Sequence, residues 1–319
     1  MSVFPLGSKE IKLAMLGMVD GNGHPYSWSA IINGYDHDTM KNCPFVGIPI
    51  YLFREPEHSF GIPGVKVTHI HTQNRQEAED VAKASLILNV LDRPEDAIGQ
   101  VDAVVAATDI GSEHVERCRP FVEAGVPLLV DKPLTDNIED LRTFKKWVDD
   151  GAVILSSSSA RYNKEYRPFH GSTLELGALR FACVTMCKTW ERYGIHALEA
   201  VYPVVGPGFV AVRNSGSISR NIVHLEHKCG ADIVLAVTDD LYGGFGAMHL
   251  VGVENSVLVK AMDTFTAFKG QLAAFIDYLR TGQRPYPFDE TVELMKIIIA
   301  GIMSREENGR RVELSEITL

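Results

Sequence analysis

An apolar run followed by an acid, a lysine and a proline is the part of the sequence with the clearest chemical content. Residues 126–130 (Val-Pro-Leu-Leu-Val) lead directly into Asp131, Lys132 and Pro133. A buried parallel strand that ended here would bring Lys132 to the carboxyl edge of a sheet, where α/β proteins bind their ligands. The ammonium would present three hydrogen-bond donors beside the Asp131 carboxylate, although a loop lysine without function fits the same residues.

A glycine-rich loop near the start of the chain is a candidate for binding phosphate. Residues 11–18 predict a first buried strand, residues 17–25 form the loop, and a helix is expected to begin at Ser27. This order allows free backbone N–H groups to hold a phosphate, but the spacing is not G-x-G-x-x-G and a structural turn is the alternative. The residues expected to contact a nucleotide in this loop are Gly17, Met18, Asn22 and His24.

The elements that would position these residues alternate between strand and helix up to residue 158. Strands are expected at residues 65–72, 101–107 and 152–155, with helices between them. Such alternation predicts a doubly wound parallel sheet of the Rossmann type, with helices on both faces. Thr108, at the end of the third strand, and Asp131 and Lys132, after residues 126–130, are added to the expected cofactor contacts.

The end of the second predicted strand bears on the choice of nucleotide. An acid at this point would hydrogen-bond the adenosine ribose of NAD, but the sequence reads Thr72-Gln73-Asn74-Arg75. Thr72 and Arg75 could instead receive a 2′-phosphate, so both NAD and NADP remain open.

The pattern changes after the serine run at residues 156–159. Longer segments that alternate apolar and polar residues predict a large, mostly antiparallel open sheet with one exposed face. These segments are residues 177–188, 218–228, 231–238 and 255–261, with a helix expected at 195–205 and two amphipathic helices at 266–281 and 289–308. The sequence therefore predicts a dinucleotide-binding Rossmann domain at residues 1–158 and an α+β domain at residues 159–319.

Composition and charge narrow the classes of partner. The chain has 319 residues and a net charge of -10, and it contains no run of Lys and Arg, which argues against nucleic-acid and anionic-membrane partners and favours a small molecule. Five cysteines without a Cys-x-x-Cys pair suit reduced thiols, and residues 1–10 lack a basic start with an apolar core, so a cytoplasmic location is expected. His224 and His227 would point to opposite faces of a strand, so no metal site is predicted there.

Four stretches in a specific order give the chain its family resemblance. They are Asp102–Thr108, the Asp131-Lys132-Pro133-Leu134 run that resembles a Glu-Lys-Pro motif, Gly194–Glu199, and the tail from Phe275 to Leu314. Together they resemble the Gfo/Idh/MocA family, named for glucose-fructose oxidoreductase and inositol dehydrogenase. The resemblance implies a nicotinamide cofactor, a sugar, polyol or sugar derivative as substrate, and a homodimer or homotetramer formed through the C-terminal sheet.

The resemblance also implies roles for individual residues. By position, Lys132 would lie near the nicotinamide and the reacting oxygen, and His196 would exchange a proton with that oxygen, which suits an imidazole that titrates near neutral pH. The residues expected to bind substrate are Arg161, Trp190, Arg192, Tyr193 and His196.

One departure from the family pattern leaves other functions open. Many members have an acid four residues before the histidine, whereas this chain has Arg192. Arg192 either binds an anionic substrate or alters the dehydrogenase step. The main hypothesis is an NAD(P)-dependent dehydrogenase acting on a CH–OH group; the alternatives are a non-catalytic member that binds a sugar or nucleotide, and a lyase or epimerase that recycles its cofactor.

Overall fold

A computed structural model describes residues 10–319 and contains two sheets. The first sheet has six strands in the order β3-β2-β1-β4-β5-β6, all parallel, which confirms the predicted Rossmann-type architecture. Its strands are β1 (Ile11–Leu16), β2 (Val65–His71), β3 (Asn89–Val90), β4 (Ala103–Ala106), β5 (Leu128–Val130) and β6 (Ile154–Ser156). Its helices are α1 (His24–Asn33), α2 (His37–Met40), α3 (Gly47–Leu52), α4 (Arg75–Ala84), α5 (His114–Glu123) and α6 (Ile138–Asp149).

The second sheet has seven strands in the order β12-β11-β7-β10-β9-β8-β13 and is mostly antiparallel, as predicted; β7 and β10 pair in parallel. Its strands are β7 (Leu179–Cys187), β8 (Phe209–Asn214), β9 (Arg220–His227), β10 (Asp232–Thr238), β11 (Ala247–Gly252), β12 (Ser256–Lys260) and β13 (Val312–Glu313). The helices of this half are α7 (Trp190–Val205), α8 (Thr264–Thr281) and α9 (Phe288–Glu306).

Two helix contacts determine how the second half packs and how it is attached to the first. Helices α7 and α9 meet around the buried indole of Trp190: a Cβ atom placed on Gly194 or Gly301 would lie within 2.6 Å of that ring, so only glycine permits this approach. Helix α8 follows the second sheet in the chain, yet its apolar face packs into the core of the first sheet with Trp28 and Leu13. The boundary at residues 158 and 159 stays a prediction.

Several element boundaries differ from those expected. Helix α1 begins at His24 rather than at Ser27, because Pro25 suits a first helical turn and Gly23 takes the N-cap position. Helix α7 begins at Trp190 rather than at residue 195, so the residues expected to precede the helix form its first turn. Strands β3, β8, β11 and β13 were not predicted.

No helix in residues 10–319 has both the length and the apolar character needed to cross a membrane. Residues 1–9, which the sequence analysis examined for a targeting signal, lie outside the described part of the chain.

Candidate functional site

Lys132 occupies a buried position at the carboxyl edge of the first sheet. It follows β5, and only 2% of its surface is exposed. Its Nζ donates to Asp109 Oδ2 at 3.1 Å and to the Arg192 carbonyl at 3.3 Å. Burial alone would lower the pKa of the ammonium, but Asp109, Tyr193 and Asp131 together outweigh burial and the pKa of Lys132 is raised. The lysine therefore remains a cation in a site that excludes water.

Asp109 is the carboxylate around which the cations are arranged. It follows β4, which pairs with β5, and it is fully buried. Arg192 reaches it from helix α7 with two hydrogen bonds, Nη2 to Oδ1 at 2.6 Å and Nε to Oδ2 at 3.2 Å. Burial opposes ionisation, but Lys132 and Arg192 hold the pKa of Asp109 well below its usual range. Arg192 lies at the position, four residues before His196, where the family resemblance implies an acid. In this chain the carboxylate is that of Asp109, which follows β4 and faces Arg192 on α7.

His196 lies on α7 and is 7% exposed. Its Nδ1 lies 2.6 Å from the Ser158 hydroxyl, which leaves Nε2 as its second ring nitrogen. The backbone N–H of Ser158 donates to Glu199 Oε1 at 3.1 Å, so the serine is itself held in place. Burial, then the charge of Lys132, lowers the pKa of His196 well below its ordinary value, and the imidazole is neutral at neutral pH.

Tyr193 connects these groups. Its ring meets the His196 ring edge to face, with centroids 4.8 Å apart. Two ammonium groups, those of Lys132 and Lys188, each lie 4.3 Å from the centroid of the tyrosine ring. Lys188 Nζ also donates to the tyrosine hydroxyl at 2.7 Å. Lys132, Tyr193 and His196 therefore form one continuous cluster between the two halves of the chain.

The glycine-rich loop joins this cluster through Asp131. Asn22 Nδ2 donates to Asp131 Oδ2 at 2.8 Å, and His24 Nδ1 lies 2.6 Å from the same oxygen. The other oxygen, Oδ1, accepts the backbone N–H of Lys132 at 2.7 Å. The His24 ring stacks on Trp28 at 4.2 Å. These contacts fix the loop against the strand end that carries the lysine.

The floor of the loop has features that fit a dinucleotide. Gly17 has φ +86°, and a Cβ atom at this position would lie 2.6 Å from Thr108 Cγ2, so the strand can turn here only with glycine. The buried Thr108 hydroxyl has no hydrogen-bond partner in the described chain, which leaves it available to a bound group. A cavity of about 240 Å³ adjoins Gly17, Ala106 and Arg117, between β1 and β4 where the strand order of the sheet reverses.

Two of the predicted cofactor contacts are engaged elsewhere. The Thr72 hydroxyl donates to the Asn74 carbonyl at 2.6 Å. The Arg75 guanidinium pairs with Glu79 and Asp92 on the surface. Both groups have partners already, so neither is free to receive a 2′-phosphate in this state. The remaining predicted contact, Met18, donates its backbone N–H to Gln73 Oε1 at 3.1 Å.

Two of the predicted substrate contacts also need correction. Trp190 does not line the cleft: it is completely buried and donates from Nε1 to the Ile298 carbonyl at 2.9 Å. Helix α7 starts at this residue, which turns its side chain toward α9. Arg161 lies beneath the site, where its guanidinium contacts Glu199 and Glu290. It therefore supports the helix that carries His196, while Arg192, Tyr193 and His196 meet in the cluster.

Four residues of the site were not predicted from the sequence: Asp109, Ser158, Lys188 and Glu199. Asp109 follows a parallel strand just as Lys132 does, so the same strand-end argument could have identified it. Ser158 follows β6 by the same rule. Glu199 carried no such signal, because its position depends on how α7 packs, and the position of Lys188, which follows β7, depends on how the second sheet lies against the first.

Comparisons with known proteins bear on the family. A family model described as "Oxidoreductase family, NAD-binding Rossmann fold", that of Gfo/Idh/MocA, matches residues 50–158. A comparison with curated proteins found no match. Over these residues the match confirms the resemblance to that family and to an NAD-binding Rossmann fold.

Solved structures extend the likeness to the whole chain. Myo-inositol 2-dehydrogenase from Lactobacillus plantarum is 14% identical with a TM-score of 0.72, covering 96% of this chain and 99% of that one. A myo-inositol dehydrogenase from Corynebacterium glutamicum is 18% identical with a TM-score of 0.71, covering 95% and 98%. GenD2 from gentamicin A biosynthesis, solved with NAD, is 16% identical with a TM-score of 0.74, covering 97% and 98%. At these identities the likeness establishes a shared fold.

Proposed function

We propose that this Gfo/Idh/MocA-type oxidoreductase is a dehydrogenase that transfers a hydride between nicotinamide and a secondary hydroxyl of a sugar, polyol or sugar derivative. The observation that carries the proposal is the pairing of a buried, charged Lys132 with a neutral His196 in one cluster. Oxidation of an alcohol needs both a base for the hydroxyl proton and a positive charge beside the oxygen. The structural neighbours from Lactobacillus plantarum and Corynebacterium glutamicum are inositol dehydrogenases, which agrees with this proposal.

The two side chains have separate roles in oxidation. Lys132 donates a hydrogen bond to the hydroxyl oxygen and stabilises the alkoxide charge that develops as the proton leaves. His196 accepts that proton at Nε2, because its Nδ1 faces Ser158. A bound nicotinamide would supply the acceptor for the hydride that leaves the same carbon. Asp109 holds the lysine in its charged form throughout.

The loop residues would hold the dinucleotide, and we propose NAD as the preferred form. Gly17 allows the backbone to approach the nucleotide, and the Thr108 hydroxyl is available to it. Arg75 and Thr72 are engaged with other groups, which removes the two donors that would have recognised a 2′-phosphate. NAD is also the nucleotide bound in GenD2.

The predicted homodimer or homotetramer and the cytoplasmic location also remain proposals. Assembly through the second sheet is supported by exposed apolar side chains on its strands, among them Val210, Ile222 and Leu258. Sedimentation velocity of the full chain would measure the oligomeric state.

The test combines cofactor binding with turnover. The purified protein should be stabilised against heat by NAD or NADH more than by NADP or NADPH, and it should reduce NAD with members of a panel of sugars and polyols. Lys132→Met, which keeps the length of the side chain, should lower kcat by 10² or more while the protein still binds NADH.

Lys260→Met is the matched control. This exposed lysine of β12 donates to the Gly243 carbonyl and has no hydrogen bond to a residue of the cluster. Absence of stabilisation by all four nicotinamide forms would refute the proposal. Turnover of sugar without net change in nicotinamide absorbance would replace it with a cofactor-recycling lyase or epimerase.

A further inference from the structure

Lys188 holds its ammonium at the mouth of the site in an unusual way. It directly follows β7 with φ +64°, a conformation that non-glycine residues rarely adopt and that clusters at functional sites. Its Nζ donates to the Gly21 carbonyl at 3.0 Å and to the Tyr193 hydroxyl at 2.7 Å. Both partners are neutral, and no carboxylate of residues 10–319 forms an ion pair with this lysine.

Arg192 converges on the same point. Its Nη2 donates to the Asp20 carbonyl at 2.9 Å, in addition to its contacts with Asp109. A Cβ atom on Gly21 would lie 3.6 Å from Lys188 Nζ and 4.0 Å from Arg192 Nη2, so both cationic groups surround the tip of the glycine loop. Arg192 keeps its ion pair with Asp109, whereas the charge of Lys188 is met only by a peptide carbonyl and a tyrosine hydroxyl, which are weaker partners than an anion.

The charges of the cluster do not balance. Three cations, Lys132, Lys188 and Arg192, belong to a cluster with two carboxylates, Asp109 and Asp131, and the ion pairs of Asp109 are with Lys132 and Arg192, not with Lys188. This positive site belongs to a chain whose net charge is -10. The N-terminal turn of α7, which contains Arg192, adds the positive end of a 16-residue helix. A bound anion would supply the missing negative charge.

We propose that Lys188 and Arg192 bind a carboxylate on the substrate, so that the enzyme acts on a polyhydroxylated acid such as an aldonate or a uronate. The inference rests on the proposed dehydrogenase function and names its substrate class. Tyr193 connects the two parts of the site, because the same ring contacts Lys188 and Lys132. A substrate whose hydroxyl lies against Lys132 therefore has its carboxylate within reach of Lys188.

The pyrophosphate of the cofactor is the other anion that could approach these cations. The features that fit a nucleotide, Gly17, Thr108 and the adjoining cavity, belong to the first sheet. Lys188 belongs to the second sheet and contacts a residue of the reactive cluster. Lys188 reaches the glycine loop at Gly21 rather than at Gly17, and it shares the Tyr193 ring with Lys132, so its position favours the substrate as the source of the anion.

The experiment compares matched acid and neutral sugars on the intact protein. Thermal stability in saturating NADH would be measured with D-gluconate against D-glucitol, D-glucuronate against D-glucose, and D-galacturonate against D-galactose. At least one acid should stabilise the protein where its neutral partner does not. In Lys188→Gln the apparent Kd for that acid should rise about tenfold or more, because a charge-assisted hydrogen bond is lost. Lys260→Gln should leave it unchanged.

Three results would overturn the inference. Neutral members that stabilise or react as well as their acid partners would exclude a carboxylate requirement while leaving the dehydrogenase proposal intact. Failure of every acid in the panel to stabilise the NADH-bound protein would likewise reject it. An equal loss of NADH affinity in Lys188→Gln, measured without sugar, would assign the cations to the cofactor pyrophosphate.

Discussion

Replacing Asp109 by Asn should damage both stability and catalysis, with a dependence on pH that identifies the cause. The change removes the charge that faces Lys132 and Arg192 but keeps the shape of the side chain. Loss of one partner of a buried ion pair typically costs about 3–5 kcal/mol, and Arg192, whose side chain is 30% exposed, can recover part of this through solvent. We therefore expect a loss of about 2–4 kcal/mol in the free energy of unfolding at pH 7.

The pH dependence follows from Lys132. Asp109 is the largest influence that raises the pKa of this buried lysine, so in Asp109→Asn burial dominates and its pKa falls below the unfolded value. The unfolded state then binds more protons than the folded state, so the variant gains stability as pH rises toward about 10.4. The difference from wild type should shrink between pH 6.5 and 9.5, and kcat should fall by 10² or more as the ammonium charge is lost.

Urea unfolding across this pH range, with initial-rate kinetics, is the assay. Asp136→Asn is the matched control, because this half-buried carboxylate contacts Asn137 and its pKa is raised by burial. It should change stability by less than about 1 kcal/mol. An Asp109→Asn protein with wild-type stability and kcat/KM would refute the role assigned to Asp109.

Three further changes test separate parts of the structure. The pKa of His196 lies well below the ordinary value of about 6.5, so the rate of alcohol oxidation should not fall as the pH drops through 6.5. A kcat/KM profile that falls on the acid side around pH 6.5 would contradict a neutral, buried base. Gly17→Ala should lower NADH affinity and stability together, because φ is +86° and the added methyl meets Thr108; unchanged NADH titration would count against this loop as the nucleotide site. Trp190→Ala should lower the free energy of unfolding by about 3–5 kcal/mol, measured with urea, as expected for a core aromatic. A stable variant with a raised KM for sugar would instead assign Trp190 to the substrate pocket.

Much of the fold could be predicted because its signals are local. Each parallel strand of the first half is a short apolar run bounded by turn residues. After residue 176, segments that alternate apolar and polar residues predicted a sheet with one exposed face. The strands that escaped prediction are β3 and β13, with two residues each, and β8 and β11, which pair with the next strands in the chain, β9 and β12. The start of α7 was missed because Gly194 interrupts its apolar pattern, although that glycine is needed for the contact with Trp190.

By itself the sequence determined that Lys132 would stand at the carboxyl end of a parallel strand, because strand direction and the polar residue after an apolar run are local properties. Only the tertiary structure decided which charges surround it. Asp109 comes from the neighbouring strand, Arg192 from a helix 60 residues beyond Lys132 in the chain, and Lys188 from the second sheet. Electrostatic interactions depend on distance in space and on burial, and neither can be read from a linear order of residues.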